Sequence, residues 1–241
     1  MKYDAFFHLA WEGSSGEGRN NASLQVSNIS ATLDATKLAY RLGCHTFIGA
    51  GSQAEYGRVE GLLRPSTPTN PESGYGIAKL CAGNMSRTLA NQLDMNHIWV
   101  RILSVYGPYD SEHSMIMSTI KKLLNHEVPS FTKGEQIWDY LYSDDAANAL
   151  LLLAIKGQPN KTYCLGSGIG RPLYEYIQII KEVINPMAEL AVGALPYGPN
   201  QVMHLVADIS DLEADIGFTP KTEFKDGIKM IMASINNDMN R

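Results

Sequence analysis

A tyrosine and a lysine four residues apart are the clearest candidates for chemistry. The stretch SGYGIAKL, residues 73–80, places Tyr75 and Lys79 at this spacing. Residues at i and i+4 share one face of a helix, and the preceding RPSTPTNPE predicts a loop that ends where a helix begins. A free tyrosine has a pKa of about 10, which a nearby cation lowers. The pair predicts an acid/base catalyst, although this spacing is also common among ordinary surface residues.

A serine at the end of an apolar run adds a second polar group. Ser52 closes the segment HTFIGAGS, which predicts a buried strand. Ligands of open α/β sheets bind beyond the carboxyl ends of the strands. Ser52 is therefore a candidate to hydrogen-bond a substrate hydroxyl beside Tyr75. The alternative is that its side chain caps a turn.

The first half of the chain alternates apolar runs with longer polar segments. We predict strands at DAFFHLAW, HTFIGAGS and NHIWVRILSVYG, and helices over residues 21–42 and 75–93. This alternation indicates an α/β fold with a parallel sheet and right-handed crossovers. Nearly continuous apolar strands are typical of a sheet that is covered on both faces.

After Gly107 the pattern changes to shorter elements. We predict helices over 114–124 and 225–236 and at SDDAANALLLLAIKG and LYEYIQIIKEVI, and strands at EVPSF, WDYLY and KTYCLGSG. Residues 1–108 are therefore expected to form one α/β unit. Residues 109–241 are expected to form mainly a smaller mixed α/β lobe, with some segments returning to the first part.

The composition excludes several classes of protein. The 241 residues include 44% hydrophobic and 19% charged residues, and a net charge of -5 does not favour a nucleic-acid surface. No apolar run is long enough for a bilayer, and the first residues lack a basic region followed by an apolar core, so we expect neither a membrane span nor a signal segment. The three cysteines are scattered and lack zinc-ligand spacing, so we expect no metal site and a reducing, cytoplasmic location.

Eight segments of the chain match, in the same order, the segments of a known protein family. They are FFHLAW, NISATLDA, GSQAEYG, YGIAK, VRILSVYGP, WDYLYSDDAANAL, YCLGSG and ADISDLEADIGFTP. Together they span nearly the whole chain and resemble the extended short-chain dehydrogenases/reductases. That family includes NAD-dependent epimerases and dehydratases of nucleotide sugars. The resemblance implies NAD or NADP as cofactor, a nucleotide-sugar substrate, and a homodimer through the helices over 21–42 and 75–93. It also implies that residues 1–108 form a partial dinucleotide-binding domain of Rossmann type and residues 109–241 mainly a substrate-binding lobe.

The resemblance also implies roles for individual residues. Tyr75 would be the general acid/base, Lys79 would hold the nicotinamide ribose and lower the pKa of Tyr75, and Ser52 would bind the reacting oxygen. The cofactor would also contact Leu9, Ala10, Trp11, Asn28 and Leu103, and Asn28 would support the site. The substrate would contact Ser104, Phe131, Trp138 and Gln201. Without the resemblance, Leu9 and Ala10 would be plain strand core and Asn28 a helix-surface residue.

Two departures from the family pattern narrow the expected reaction. Relatives that dehydrate their sugar carry an acidic pair directly after the Ser/Thr, where this chain has Gln53 and Ala54. Glu55 lies one place further on and should point elsewhere. Dehydration is disfavoured, and epimerisation or ketone reduction remains. Trp138 stands where relatives often carry an arginine for the nucleotide diphosphate.

Near the C-terminus, Gly198 and Gln201 replace an arginine and an aspartate that bind the nucleotide in relatives. Charge-assisted pairing to phosphate would be weaker here. Two alternatives to a sugar enzyme stay open: a non-catalytic remnant acting as a binding protein, and a reductase of non-sugar carbonyl compounds.

The family's Gly-rich phosphate loop lies before the strand that matches FFHLAW, and this sequence starts only a few residues before that strand. We therefore predict an N-terminally truncated sheet, weak or absent NAD(P) binding, and an unpaired edge along AFFHLA that tends to pair with other chains. A second Gly-rich stretch, GSGIGRPL at 166–173, lacks the fingerprint spacing and is not expected to cradle the cofactor phosphates.

Overall fold

The architecture comes from a computed structural model, which describes residues 3–239. The strands are β1 (Ala5–His8), β2 (Thr46–Ser52), β3 (Leu62–Leu63), β4 (Asn96–Ile102), β5 (Ser104–Tyr106), β6 (Ser130–Phe131), β7 (Ile137–Trp138), β8 (Tyr140–Tyr142), β9 (Thr162–Leu165), β10 (Arg171–Pro172), β11 (Ala191–Val192) and β12 (His204–Ala207). The helices are α1 (Ala22–Arg41), α2 (Gly74–Gln92), α3 (Met115–Leu124), α4 (Ser143–Lys156), α5 (Leu173–Ile184), α6 (Ser210–Ile216) and α7 (Phe224–Met239). Two short 3₁₀ helices cover Gly16–Asn20 and Gln53–Glu55.

The main sheet has the strand order β1-β2-β4-β9, and all its neighbours are parallel. Thr46 pairs with both Ala5 and Asn96, so the three strands start in register. This confirms the predicted α/β class and its parallel sheet. β1 is the outer strand of the sheet in the described part of the chain, and its pairing with another chain stays a prediction.

Helices cover the main sheet on both faces. Phe47 and Ile48 are successive residues of β2, and successive strand residues point to opposite faces. Phe47 packs in a cluster with Ala39 of α1 and Ala90 of α2. Ile48 packs in another cluster, to which α4 and α6 contribute the largest helical share. Both residues are fully buried, which explains why β2 is apolar along almost its whole length.

The second sheet is mixed, with the order β10-β7-β12-β3 and one antiparallel pair, β10 with β7. Beside it, α3, α5 and α7 surround an aromatic core in which Phe224 lies 4.6 Å from Tyr176 and 4.9 Å from Tyr106 between ring centroids. The division of the chain at residue 108 stays a prediction. β9 follows that point in the sequence and pairs in the main sheet.

One predicted strand is wrong in extent. The run NHIWVRILSVYG was expected as a single strand, but it is divided into β4 and β5 at Leu103. The Leu103 N–H donates to the carbonyl of Leu165 at 2.9 Å, and Ser104 then pairs with Tyr140 of β8 instead of continuing beside β9. Apolar residues continue on both sides of Leu103, so the sequence pattern does not reveal that the strand changes its pairing partner there.

The predicted strand WDYLY is likewise divided, into the end of β7 and all of β8, at the buried Asp139. The strands β3, β10, β11 and β12 and the helix α6 were not predicted, because elements this short show too little periodicity. Within residues 3–239, no helix combines the length and the apolar character needed to cross a membrane.

Candidate active site

The structure brings the three predicted catalytic side chains to the carboxyl end of β2. Ser52 is the last residue of β2, and Tyr75 lies in the first turn of α2. Lys79 follows one turn later, and its Nζ donates to the carbonyl of Ala50 at 2.6 Å. Ser73 caps α2 by accepting from the Gly76 N–H at 3.1 Å, so the helix starts where the proline-rich loop was predicted to end.

A glycine lets the helix approach the strand end this closely. A Cβ added to Gly76 would collide with the carbonyl of Ala54, in the turn that follows Ser52. That turn is itself closed by Ser52, whose Oγ accepts from the Ala54 N–H at 3.1 Å. Ser52 therefore does cap a turn, as the alternative held, and it also lies beside Tyr75.

Lys79 is a buried cation, and among residues 3–239 no carboxylate lies within ion-pair distance of it. Its side chain is buried, with only 4% of the residue exposed. Its Nζ lies 3.9 Å from the ring centroid of Trp11, which covers it. Burial lowers the pKa of Lys79 to about 8, and the more distant charge of Glu55 opposes that shift. The ammonium group is thus held in a state that is easier to deprotonate than a surface lysine.

Tyr75 is half-buried, and its pKa differs from the sequence prediction. Burial raises the pKa, whereas the neighbouring Ser52 hydroxyl and the charge of Arg19 lower it by less. The predicted lowering of the pKa of Tyr75 is therefore wrong, because desolvation of the phenolate outweighs the favourable contacts. Tyr75 is a protonated phenol at neutral pH, able to donate a hydrogen bond to an oxygen atom.

Glu55 is fully buried and turned away from the Ser52 hydroxyl. Its carboxylate accepts from the Ser52 N–H at 2.8 Å, from Trp99 Nε1 at 2.9 Å and from Arg101 Nε at 2.7 Å. The prediction that Glu55 points elsewhere is confirmed. Sequence reasoning missed Arg101, although two signals were available: the capping-box spacing of Ser52 and Glu55, and a lone arginine in an apolar strand.

The segment after β1 lies over this site. Leu9 and Ala10 are exposed, so the alternative that they are strand core is wrong. Trp11 Nε1 donates to Gln25 Oε1 at 3.0 Å. Asn28 is buried and exchanges two hydrogen bonds with the backbone of residue 12, at 3.1 and 2.9 Å. Asn28 is thus not a surface residue; it holds the loop that carries Trp11.

The predicted substrate residues are only partly brought together. Trp138 Nε1 donates to Ser104 Oγ at 2.8 Å, so these two side chains meet. Phe131 is buried in β6, and the Gln201 side chain donates to the backbone of Val202 at 3.2 Å. Among the described residues, no hydrogen bond joins Phe131 or Gln201 to that pair. Leu103 is buried in a third hydrophobic cluster.

The Gly-rich turn at 166–170 already binds a carboxylate of the protein itself, the side chain of Asp139. The Asp139 carboxylate accepts from the N–H groups of Ser167 and Gly168 at 2.7 and 3.0 Å, and from Ser167 Oγ at 2.6 Å. Phosphate cradles use such N–H groups, and here Asp139 occupies them. The turn does not fit a cofactor pyrophosphate. The nicotinamide-ribose end fits better, because the Lys79 ammonium lies against Trp11, directly after the exposed Leu9 and Ala10 in the chain.

A comparison with known proteins defines the class. The sequence matches the NAD dependent epimerase/dehydratase family over residues 1–166, more than half of the chain. The chain belongs to this family, which confirms the predicted resemblance. The family match extends from β1 through β9 and includes Ser52, Tyr75 and Lys79.

Individual relatives are more distant. A dTDP-glucose 4,6-dehydratase of Escherichia coli is 25% identical over 188 residues, which cover 73% of this chain and 52% of that protein. A CDP-abequose synthase of Salmonella typhimurium is 30% identical over 164 residues, which cover 66% of this chain and 54% of that protein. The chain spans about half the length of these curated relatives.

Solved structures share the fold. RMD from Pseudomonas aeruginosa, complexed with NADPH, superposes with a TM-score of 0.84 at 17% identity, over 98% of this chain and 82% of that chain. UDP-glucuronic acid 4-epimerase from Bacillus cereus, in complex with UDP-glucuronic acid and NAD, gives 0.84 at 20% identity, over 97% and 76%. At these identities the likeness shows the fold alone.

Proposed function

We propose that the protein containing this chain catalyses NAD(P)-dependent epimerisation or keto-reduction of a nucleotide-activated sugar. The observation that carries the proposal is the meeting of Ser52, Tyr75 and Lys79 at the carboxyl end of β2. Parallel α/β sheets place their ligands at this edge. The proposal includes the finer fold assignment, a Rossmann-type parallel sheet beside a substrate lobe.

The proposed chemistry is a proton transfer at the phenolic oxygen of Tyr75. When a ketone is reduced, the Tyr75 phenol donates its proton to the ketone oxygen. When a sugar hydroxyl is oxidised, Tyr75 first loses its own proton to solvent, and the phenolate then accepts the hydroxyl proton. Ser52 orients that oxygen by a hydrogen bond, and Lys79 binds the nicotinamide ribose. NAD(P), when bound, accepts or supplies the hydride. A general acid/base of this kind contributes about 10²–10⁴-fold to the rate.

The cofactor contacts proposed here are Leu9, Ala10, Trp11, Lys79 and Leu103, with Asn28 as a support. We expect the 241-residue chain by itself to bind NAD(P) weakly or not at all, because its Gly-rich turn at 166–170 uses its N–H groups on Asp139. Calorimetric titration with NAD and NADP is the measurement. A dissociation constant in the low micromolar range would contradict this expectation and indicate another phosphate site.

Dehydration is disfavoured even though several curated relatives are dehydratases by name. Gln53 and Ala54 carry no proton to exchange, and Glu55 is committed to three donors below the site. Elimination of water from a sugar needs an additional acid and base beside the carbonyl carbon. The side chains that follow Ser52 therefore support epimerisation or reduction over dehydration.

We place the nucleotide sugar against Ser104 and against Phe131, Trp138 and Gln201 of the second lobe. The hydrogen bond from Trp138 to Ser104 presents an aromatic face and a hydroxyl instead of a guanidinium. Binding of the diphosphate through Trp138 would therefore lack a charge-assisted bond. This predicts a weaker dependence of substrate affinity on salt than an arginine at residue 138 would give.

A substrate screen tests the proposal. The complete protein is incubated with NAD or NADP and a panel of nucleotide sugars and small non-sugar carbonyl compounds, and products are identified by NMR. An epimerised or reduced nucleotide sugar is the expected result. Reduction of only the non-sugar compounds would support the reductase alternative, and binding of a nucleotide sugar without turnover would support a non-catalytic remnant.

We also propose a homodimer through α1 and α2. These helices pack side by side and expose Val26, Ile77 and Met85, each about half accessible to solvent. Met85→Lys should convert a dimer to a monomer in sedimentation experiments, whereas Leu151→Lys on the exposed side of α4 should not. A wild-type chain that stays monomeric at high concentration would contradict the proposed dimer.

A further inference from the structure

An arginine outside the predicted site lies against the candidate acid/base. Arg19 belongs to the 3₁₀ helix Gly16–Asn20, which follows β1. Its guanidinium carbon lies 4.5 Å from the ring centroid of Tyr75, whereas the Nζ of Lys79 lies 5.8 Å from the same centroid. Arg19 is thus nearer to the ring of Tyr75 than the lysine to which the sequence assigned this role.

Hydrogen bonds hold the arginine in place. Arg19 Nη1 donates to the carbonyl of Ser14 at 2.7 Å, within its own loop. The Asn20 side chain accepts from the Gly74 N–H at 3.0 Å, which ties the loop to the start of α2. The Gln25 amide donates to the carbonyl of Gly18 at 2.8 Å. The loop is therefore anchored to both α1 and α2, so the contact between Arg19 and Tyr75 does not depend on a free side chain.

Lys79, by contrast, is directed away from the phenol. Its Nζ donates to Ala50 and lies under the Trp11 ring, at 2.6 and 3.9 Å respectively. An ammonium ion is a compact charge, and this one interacts mainly with a carbonyl and an indole. A guanidinium group is planar and stacks on aromatic rings.

We propose that Arg19 is a positioning residue of the site, a second cation that acts through Tyr75 by stabilising its phenolate. The negative charge of a phenolate spreads over the ring, so a cation above the ring face interacts with it directly. The inference rests on the proposed acid/base role of Tyr75. It assigns to Arg19 part of the electrostatic support that the family resemblance gives to Lys79 alone.

The charges that face Tyr75 agree with this assignment. They come from Arg19 in the 3₁₀ helix, Lys79 on the same helix as Tyr75, and Glu55 below the strand end. Burial raises the pKa of Tyr75 most, the neighbouring Ser52 hydroxyl and the charge of Arg19 lower it, and the charge of Glu55 raises it. Arg19 is the cation whose charge contributes to the lowering of this pKa.

The test measures the acidity of residue 75 directly in the full chain. A fluorinated tyrosine is introduced at this site, because fluorine makes the phenol more acidic and brings its titration into a range where the protein stays folded. Fluorine NMR then gives one titration curve for each variant. Arg19→Gln should raise the pKa of residue 75 by about 0.5–1 unit, which is a three- to tenfold weaker acid.

Two further variants separate charge from packing. Arg19→Lys keeps the charge and should recover at least half of that shift. Arg87→Gln removes an arginine from the outer part of α2, where it bonds Asn84, and should leave the titration unchanged. A change below about 0.2 unit in Arg19→Gln, or equal shifts in Arg19→Gln and Arg19→Lys, would overturn the proposal.

The outcome is independent of turnover. If Tyr75→Phe abolishes turnover of the complete protein and Arg19→Gln does not move the pKa, only the role of Arg19 is wrong. If the pKa moves but Tyr75→Phe remains fully active, Arg19 supports a phenolate that the reaction does not use, and the proposed function is what fails.

Discussion

Arg101 and Lys79 are two buried cations near the same sheet edge, but they have different surroundings. They are 8% and 4% exposed. Arg101 forms an ion pair with Glu55 at 2.7 Å, whereas in the described part of the chain no carboxylate lies within ion-pair distance of Lys79. Burial lowers the pKa of both, yet Glu55 and Tyr56 raise the pKa of Arg101 above its usual value, and the pKa of Lys79 falls to about 8.

The difference distinguishes a buried cation that stabilises the fold from a buried cation that is suited to chemistry. A buried charge costs free energy that only a well-placed partner offsets. Arg101 has such a partner, and its pair with Glu55 also fixes the backbone of Ser52. Lys79 contacts a carbonyl and an aromatic ring, which do not offset the effect of burial on its pKa. Perturbed groups of this kind are concentrated at functional sites.

The largest effect is expected from removing the partner of Arg101. Glu55→Gln should lower the free energy of unfolding by about 3–5 kcal/mol, because it leaves a buried guanidinium uncompensated. Urea denaturation at pH 7 is the measurement. A loss below about 1 kcal/mol would mean that water or the Pro65 carbonyl, which Arg101 already contacts, replaces the carboxylate.

A smaller effect of opposite sign is expected at Lys79. Lys79→Met should raise the free energy of unfolding at pH 7 by about 1–3 kcal/mol, because it removes an unpaired buried charge. Since the folded pKa lies below the unfolded value, the unfolded state binds more protons between about pH 8 and 10.5, and wild-type stability rises with pH there.

The pH dependence provides the control for that variant. Lys79→Met should lack the part of the rise that belongs to residue 79, so the difference between the two proteins should shrink from pH 8 to pH 10.5. If the two stability curves stay parallel across this range, Lys79 is not held in its lowered-pKa state.

The smallest effect is expected for an exposed pair. Arg58 and Glu72 form an ion pair at 2.8 Å, but both side chains are more than a third exposed. Glu72→Gln should therefore change the free energy of unfolding by less than about 1 kcal/mol. It matches Glu55→Gln in chemistry and differs in burial. Equal losses in the two variants would remove the distinction between buried and exposed pairs.

The sequence predicted the parts of the site that depend on local spacing. Tyr75 and Lys79 are one helical turn apart, and Ser52 ends a strand, so their approach follows from two elements and one turn. Arg101 lies 46 residues from Glu55, and their pairing depends on the register of β2 against β4. No local pattern encodes that register.

The same limit explains the errors elsewhere. The end of β4 at Ile102 is set by pairing of Ser104 with Tyr140, which is distant in sequence. The direction of the Tyr75 pKa shift was predicted wrongly. The sequence spacing suggested a nearby cation, which lowers the pKa, but it did not reveal the burial that raises it. The approach of Arg19 depends on a loop held by side chains of α1 and α2.

Turnover of Tyr75→Phe in the complete protein tests the central claim most directly. The variant loses only the phenolic oxygen, so the fold should stay intact by circular dichroism, and Tyr109→Phe at an exposed tyrosine is the matched control. We expect Tyr75→Phe to lower kcat by about 10²–10⁴-fold and Tyr109→Phe to leave it unchanged. A loss below about fivefold in Tyr75→Phe would contradict the assignment of Tyr75 as the general acid/base.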